Sequence, residues 1–145
     1  MRIAVVGSYG IGMTMRVPRL PVAGETLLGG EFVSGHGGKG SNQAVAARRL
    51  GADVAFPTAV GDDVMGHAAR ELWRPEGVDA SATVTAPAST MVGLILVEPS
   101  GENRIAIATG AESELTVLDI DIGEGKFGAE TWMGLIDGHG EPDTL

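Results

Sequence analysis

A glycine-rich stretch, Gly37-Gly38-Lys39-Gly40-Ser41-Asn42, holds the residues of this chain that are best suited to bind a small molecule. Glycines allow the backbone to approach a ligand closely and to adopt φ angles that other residues avoid. The segment that follows, up to Leu50, predicts a helix, so unpaired N–H groups and a positive dipole end face the loop. Lys39 adds a positive charge, and Asn42 adds an amide that both donates and accepts. We therefore expect the loop to bind an oxygen-rich ligand.

The loop also fits two nucleotide-binding patterns formally, but both fits are weak. The dinucleotide-binding fingerprint G-x-G-x-x-G matches residues 35–40. In dinucleotide-binding domains, however, this fingerprint follows the first strand of the sheet, and an acidic residue stands at the end of the next strand. Asp53 lies near the required distance, but it begins its predicted strand. A P-loop needs Ser or Thr after its lysine to bind Mg²⁺, and here Gly40 follows Lys39. A fragment of a dinucleotide-binding oxidoreductase is thus a less favoured alternative, and a flexible helix entry capped by Ser41 is the plainest one.

Composition and charge restrict the class of protein. The 145 residues are 43% hydrophobic and 4% aromatic and include no cysteine, which predicts a mostly aliphatic core without disulfides or thiolate metal sites. The net charge is −9, and residues 75–145 carry thirteen Asp and Glu against two Lys and Arg, so we expect no nucleic-acid partner. Three scattered histidines are interpreted as surface or packing residues and not as a metal site: His36, His67 and His139. The apolar runs are too short for a signal sequence or a membrane span, and we expect a cytoplasmic protein.

Apolar periodicity predicts the elements that must position the loop. The predicted strands cover residues 3–6, 13–17, 26–33, 53–60, 89–97 and 103–108, and the predicted helices cover 41–50 and 64–73. Asp62 or Asp63 is expected to cap the second helix, and Pro75 to end it. Pro57 fits its strand poorly, because proline cannot donate to a ladder. Strand–helix alternation with two inserted antiparallel pairs predicts an α/β domain carrying a small accessory β-sheet, which must cover a ligand, a partner subunit or both.

Four segments form a combined motif set: GGKGSNQA at 37–44, VGDD at 60–63 with Gly66, PVAGET at 21–26, and GENR at 101–104. Over roughly residues 2–116 this set resembles the ribokinase-like (PfkB-type) carbohydrate kinases. The resemblance implies an α/β fold, a partial doubly wound (Rossmann-like) ribokinase fold with a small β-sheet lid over a sugar site. It also implies transfer of the γ-phosphate of ATP, with Mg²⁺ as cofactor, to a hydroxyl group of a sugar, a related polyol or a nucleoside.

The resemblance further implies which residues bind the substrate. Backbone and side-chain groups of the loop would bind sugar hydroxyls, and three residues of the second hairpin would form an apolar lid wall: Gly37, Gly38, Lys39 and Asn42, then Gly93, Ile95 and Ile107. In ribokinases an Asn and an Asp after the first strand hold the sugar, and the matching positions here are Gly10 and Gly12. We therefore expect a substrate other than ribose, which uses the room at these two glycines. Ordinary sheet packing is the alternative for the wall, and helix capping is the alternative for Asp62 and Asp63.

The catalytic half of the family has no counterpart in this sequence. In that half a Gly-Ala-Gly-Asp segment stabilises the transferred phosphoryl group and supplies the base, and no such segment occurs here. The sequence therefore predicts no catalytic, ATP-binding or metal-binding residue, and no kinase activity of this chain alone. A truncated gene, a frameshift or a fragment would each explain that pattern. A non-catalytic sugar- or nucleoside-binding remnant is the alternative from another class of function.

The expected domain organisation follows from the same resemblance. Residues 1–122 are predicted to be the sugar-binding part, with lid strands near 12–33 and 89–108, and residues 123–145 an irregular acidic tail that is not family-like. An incomplete sheet leaves an apolar edge open to pairing. We therefore expect a homo-oligomer, a dimer through the lid or through the open sheet edge.

Overall fold

A computed structural model describes residues 2–28, 30–116 and 132–136 of the chain. Its helices are α1 (Lys39–Arg49), α2 (Val64–Glu76) and a short 3-10 turn (Gly110–Glu114). Its strands are β1 (Arg2–Val6), β2 (Gly10–Arg16), β3 (Phe32–Gly37), β4 (Asp53–Ala55), β5 (Ala59–Gly61), β6 (Val84–Ala86), β7 (Met91–Val97), β8 (Asn103–Ala108) and β9 (Trp132–Ile136). Neither long helix in these ranges has the length and apolar character needed to cross a membrane.

The central sheet is parallel and has the strand order β4-β1-β9. The apolar strand β1 pairs with β4 on one side, where Ile3 lies opposite Val54, and with β9 on the other. Helix α1 lies between β1 and β4 in the chain and packs against both strands. Strands β5 and β6 form a separate parallel pair. This arrangement of parallel strands and packed helices confirms the predicted α/β class.

A second sheet of four strands carries both predicted antiparallel pairs. Its order is β3-β2-β7-β8, in which β2–β3 and β7–β8 are antiparallel and β2–β7 is parallel. The hairpin predicted over residues 89–97 and 103–108 is present as β7 and β8. Residues 10–12 of β2 pair with residues 35–37 of β3, so the beginning of the glycine-rich stretch belongs to this sheet. The parallel β2–β7 ladder thereby joins the two pairs into one surface.

The core of the molecule is centred on aromatic side chains, although the chain is poor in them. Trp73 of α2 is fully buried and meets Tyr9 and Phe56 edge to face, with ring centroids 5.1 Å apart in each pair. Its indole N–H donates to Ser41 Oγ at 2.9 Å, which satisfies the one polar group of the ring. Aliphatic side chains from β1, β4 and β5 surround this group, as expected: Ile3, Val5, Val54 and Val60.

The predicted boundaries around the glycine-rich stretch were wrong. The strand expected over residues 26–33 is β3 at 32–37. Glycine has a low strand propensity, but pairing with the equally small residues of β2 outweighs it here. Helix α1 begins at Lys39 and not at Ser41, and its N-cap is Gly38, with a φ of 90° that favours glycine. Ser41 cannot be the cap because its buried hydroxyl lies within the helix and accepts from Trp73.

Two proline effects also differ from expectation. The strand expected over residues 53–60 is split into β4 and β5 around Pro57, which cannot donate to a ladder. Pro75 does not end α2, which continues to Glu76 and stops at Gly77, a left-handed residue whose N–H bonds to the carbonyl of Arg74. The packing of Trp73 just before the proline holds this last turn in place.

Three short elements were not anticipated from the sequence. They are β6, the 3-10 turn over residues 110–114, and β9, which lies inside the stretch where the sequence indicated no regular structure. Each is three to five residues long and pairs with a neighbour: β9 with β1, β6 with β5, and the 3-10 turn through a hydrogen bond from Ala111 N to the carbonyl of Ser89. The rest of the predicted tail, residues 123–131 and 137–145, lies outside the described residues, as does His139.

Candidate functional site

The glycines of the 37–42 segment make close backbone contacts within the protein. Gly37 pairs with Gly10 across β3 and β2, and Gly38 is the single residue that links β3 to α1. A Cβ atom at buried Gly40 would lie 2.6 Å from the carbonyl carbon of Gly7 and 2.8 Å from the Ser8 nitrogen. The α1 N-terminus is therefore packed on the link between β1 and β2, which gives the glycines at 38 and 40 a packing role that the sequence did not reveal.

Two of the three polar side chains of the segment lie on the outer side of α1, and the third, Ser41, is buried. Lys39 and Asn42 are both exposed. Asn42 lines an open cavity of about 340 Å³ between α1 and α2, together with His36, Ser41, Val45, Ala46, Arg49 and Leu72. The amide of Asn42 is thus available to a ligand in a concave surface. None of the predicted wall residues on β7 and β8 lines this cavity.

The predicted wall residues lie together on one face of the four-stranded sheet. Gly12 is opposite Gly93, and Gly93 is opposite Ile107, so the three form one row across β2, β7 and β8. Side chains two positions apart point to the same face, which adds Ile95 to this surface. A Cβ at Gly12 would lie 3.7 Å from Ile95 Cδ1, and a Cβ at Gly93 would have no atom within 4 Å. The face is therefore an open apolar trough bordered by isoleucines.

Gly10 and Gly12, the two glycines expected at the substrate, differ in the space around them. A side chain at Gly12 has room, since its Cβ would make only ordinary contacts. At Gly10 a Cβ would lie 2.6 Å from both the carbonyl oxygen and the Cε atom of Met91. The space expected at both positions is therefore open at Gly12 alone, because Met91 fills it at Gly10.

Asp63 links the start of α2 to the residue that precedes β7. Its Oδ1 accepts from Gly66 N at 2.7 Å and from Thr90 Oγ1 at 2.8 Å, and its Oδ2 accepts from Thr90 N at 2.8 Å. The hydroxyl oxygen of Thr90 also accepts from Gly61 N at 2.9 Å. The expected capping role is confirmed for Asp63, and Asp62 instead lies on the surface. Since Thr90 directly precedes β7, this network fixes the strand that carries Gly93 and Ile95, two of the predicted wall residues.

The hydrogen bonds of Asp63 also determine its ionisation. Burial alone would raise the pKa of this carboxyl, but hydrogen bonds from the Thr90 and Gly66 backbone, the Thr90 hydroxyl and the Met65 backbone outweigh it and lower the pKa. The folded protein therefore stabilises the ionised form of this carboxyl group. Its negative charge also raises the pKa of the buried phenol of Tyr9.

Tyr9 and His36 form a polar pair that sequence reasoning missed. The Tyr9 hydroxyl lies 2.8 Å from His36 Nδ1, while the rest of the side chain is fully buried against Trp73. Burial, and secondarily the charge of Asp63, raises the pKa of Tyr9 to about 12. The available signal was its position in the sequence. The only tyrosine of the chain comes three residues after the end of β1, at the carboxyl end of a parallel strand, where ligands of α/β proteins bind.

The remaining two motif segments form turns. In the 21–26 segment, Glu25 is paired with Arg19 and accepts from Val22 N at 3.0 Å. In the 101–104 segment, Gly101 takes a φ of 89° in the turn between β7 and β8, and Glu98 N donates to the carbonyl of Glu102 at 2.9 Å. Both segments thus shape the ends of the four-stranded sheet. Within the described ranges no three acidic or histidine side chains are grouped as a metal site would require.

Comparison with known proteins gives one consistent result. The model of the pfkB family carbohydrate kinases matches residues 1–128, somewhat beyond the 2–116 stretch that carries the motif set. The chain is 38% identical over 126 residues to a ribokinase of Haemophilus influenzae and 40% identical over 116 residues to a ribokinase of Bacillus subtilis. These alignments cover 86% and 79% of this chain but 41% and 39% of the relatives. The chain therefore spans about two fifths of the length of the curated relatives it matches.

Solved structures show the same likeness. Ribokinase from Giardia lamblia superposes with a TM-score of 0.73 at 34% identity, over 82% of this chain and 36% of that chain. A structure of Arabidopsis thaliana ribokinase complexed with ribose and ATP has a TM-score of 0.68 at 28% identity, over 75% and 36% of the two chains.

Proposed function

The chain belongs to the pfkB family of carbohydrate kinases, and we propose that it forms the sugar-binding part of an ATP-dependent kinase of this family. The predicted resemblance and the predicted partial ribokinase fold with its small β-sheet are confirmed by the family match and by the ribokinase structures. The proposed reaction transfers the γ-phosphate of ATP to a hydroxyl group of a sugar, a related polyol or a nucleoside. Residues 1–145 taken alone are proposed to bind the acceptor without phosphorylating it.

One observation supports this proposal above the others. The apolar row formed by Gly12, Gly93 and Ile107 lies on the same sheet that runs through β3 directly into the α1 N-terminus. A sugar has hydroxyl groups along its edge and C–H groups on its faces, so it needs polar groups beside an apolar wall. Lys39 and Asn42 would bind the hydroxyls, and the row with Ile95 would cover the ring.

The roles of the small residues follow from their surroundings. Gly37 and Gly38 would contribute backbone groups where β3 meets α1, and Gly12 would leave room for the ring on the trough. Gly10 would contribute backbone only, since Met91 occupies the space beside it. Because neither position 10 nor position 12 offers a side-chain acceptor, we propose a substrate other than ribose.

We propose ATP as the phosphoryl donor and Mg²⁺ as its counter-ion, with no binding residue for either assigned in this chain. One similar structure is described as a ribokinase in complex with ADP and another as a complex with ribose and ATP. In phosphoryl transfer, Mg²⁺ neutralises charge on the phosphate oxygens. A small sugar or nucleoside is the proposed partner, and nucleic acid is not.

A dimer through the four-stranded sheet is a further part of the proposal. The face opposite the trough carries large apolar side chains in open positions, among them Met15, Phe32 and Leu94, which are 38–57% exposed. Adjacent exposed apolar groups on one sheet face are typical of association surfaces. The size of the purified chain in solution, measured by light scattering, would show a dimer, and a monodisperse monomer would contradict this part.

The proposed function is tested by calorimetry with a panel of sugars, polyols and nucleosides. We expect at least one to bind, and Asn42→Ala to weaken it about tenfold, since one or two hydrogen bonds of roughly 1 kcal/mol each are lost. The matched control is Gln43→Ala, the exposed neighbour on the same helix, which should leave binding unchanged. Absence of heat with the whole panel, or equal binding by the Asn42 variant, would contradict the proposal. Phosphorylation of any of these compounds by residues 1–145 with Mg-ATP would contradict the expected inactivity.

A further inference from the structure

Met91 is the first residue of β7, and it lies on the trough face of the four-stranded sheet. In the parallel β2–β7 register it is opposite Gly10, two positions before Gly93. Residues two positions apart in a strand share a face, so Met91 faces the same side as Gly93 and Ile95. Its Cε atom lies 2.6 Å, and its Cβ atom 3.0 Å, from the position that a Cβ of Gly10 would take. The methionine side chain therefore folds back over Gly10.

The row that contains Met91 lies between the two parts of the proposed sugar site. Gly37 pairs with Gly10, and Gly10 with Met91, so this row crosses β3, β2 and β7 beside the row of Gly12. Gly37 is followed by Gly38, the residue that leads into α1. A ligand that contacts both the α1 N-terminus and the apolar row therefore lies across the row of Met91. Because the other two members of this row are glycines, Met91 has the side chain that such a ligand meets.

The side chain of Met91 differs in chemistry from the polar groups at the α1 N-terminus. A thioether has no donor and is at most a weak acceptor, whereas the Lys39 ammonium and the Asn42 amide both donate. Met91 is half-buried, so a ligand group placed against it loses water on that side. A hydroxyl group there would lose hydrogen bonds without replacement, whereas a methylene or methyl group would gain an apolar contact. The β7 end of the row therefore favours a carbon atom that bears no hydroxyl.

The backbone of Met91 is held in place through the residue before it. Thr90 donates its N–H to Asp63 Oδ2 and its hydroxyl to Asp63 Oδ1, each at 2.8 Å, and it is 1% exposed. Its hydroxyl oxygen also accepts from Gly61 N at 2.9 Å. Because Thr90 and Met91 share a peptide unit, this network also fixes where the Met91 side chain begins. A residue that selects between ligands needs such support from its surroundings.

We propose that Met91 is a further specificity-determining residue of the sugar site and that the acceptor is a deoxy sugar. The carbon atom that lacks a hydroxyl lies against the Met91 thioether, and the hydroxyl groups of the ligand face the α1 N-terminus. This inference rests on the proposed sugar-binding function and names the substrate class for it.

The test is calorimetry of the 145-residue chain with three pairs of sugars that each differ by one oxygen atom: ribose and deoxyribose, glucose and deoxyglucose, galactose and fucose. In the pair that binds best, we expect the deoxy sugar to bind about tenfold more tightly, since an apolar contact rejects an added hydroxyl by at most about a hundredfold. Met91→Gln, which adds an amide at similar length, should abolish this preference, and Met91→Leu, which stays apolar, should keep it. Met13→Gln is the matched control, because Met13 is also half-buried but lies on the opposite face of the sheet, and it should leave the preference intact.

A carbon-13 spectrum of the methionine methyl groups gives a readout that a merely structural role would not move. The Met91 signal, identified by its loss in Met91→Leu, should shift as the deoxy sugar saturates the protein, while the Met13 signal should stay in place. Equal or tighter binding of the parent sugar in every pair that binds, a preference that survives Met91→Gln, or an unshifted Met91 signal at saturation would each overturn this inference while the sugar-binding function stands. Binding of other panel compounds but of none of these six sugars would do the same, and binding of no compound at all would overturn both.

Discussion

Gly40→Ala is expected to lower the free energy of unfolding by about 2 kcal/mol or more, the cost of forcing a methyl group into a filled site. Its Cβ would lie 2.6 to 2.8 Å from three backbone atoms of Gly7 and Ser8, and backbone cannot yield as a side-chain end can. The higher helix propensity of alanine would offset this by about 1 kcal/mol at most. The steric clash therefore outweighs the gain in helix propensity, and the net effect is a loss of stability.

Urea unfolding of the two matched variants Gly40→Ala and Gly35→Ala separates packing from a general effect of adding a methyl group. Gly35 lies in β3, and no atom is within 4 Å of the position that its Cβ would take. The Gly35→Ala variant should therefore differ in stability by no more than about 0.5 kcal/mol. Equal, small effects at both positions would show that the α1 N-terminus is not held against the β1–β2 link. That result would also remove the packing role given to the glycines of this segment.

Asp63→Ala is expected to lower the free energy of unfolding by roughly 2–3 kcal/mol, because Gly66 N and both donors of Thr90 lose an ionised acceptor. Thr90 is buried, so its N–H finds no water in place of the carboxylate. The neighbouring Asp62→Ala is the control. Its side chain is 80% exposed and, within the described part of the chain, pairs only with His67, at 3.5 Å, so a change within about 0.5 kcal/mol is expected.

The same residue predicts a pH dependence of stability. The pKa of Asp63 is lowered in the folded protein, so its contribution is complete above the unfolded value of about 3.9 and is lost as the pH falls through the folded value. The stability difference between the unmodified chain and Asp63→Ala should be constant near neutral pH and shrink below about pH 4. Urea midpoints measured across that range would show it. A difference that grows on acidification would mean that the carboxyl is protonated in the folded state.

Local patterns in the sequence predicted the elements whose conformation depends on their own residues. The hairpin of β7 and β8 followed from alternating apolar residues around a Gly-containing turn, and the start of α2 followed from an aspartate before an apolar helix. The motif set then predicted the family. These features require no knowledge of distant neighbours, which is why one sequence was sufficient.

The missed features all depend on contacts between distant residues. Tyr9 with His36 and Asp63 with Thr90 are each separated by 27 positions, so nothing in the local sequence brings them together. The strand over residues 35–37 was missed because glycines pair there only when β2 offers an equally small partner. The space at Gly10 was misjudged because Met91, on β7, occupies it.

The central claim is that one sugar contacts both the α1 N-terminus and the apolar row of the lid. The most direct measurement is a nuclear magnetic resonance titration of the isotope-labelled chain with the panel compound that binds best. The account predicts saturable shifts at Gly38, Lys39 and Asn42, together with shifts at Gly93, Ile95 and Ile107 at the same ligand concentrations. Shifts confined to α1 with an unchanged β7–β8 hairpin, or shifts at neither place, would contradict it.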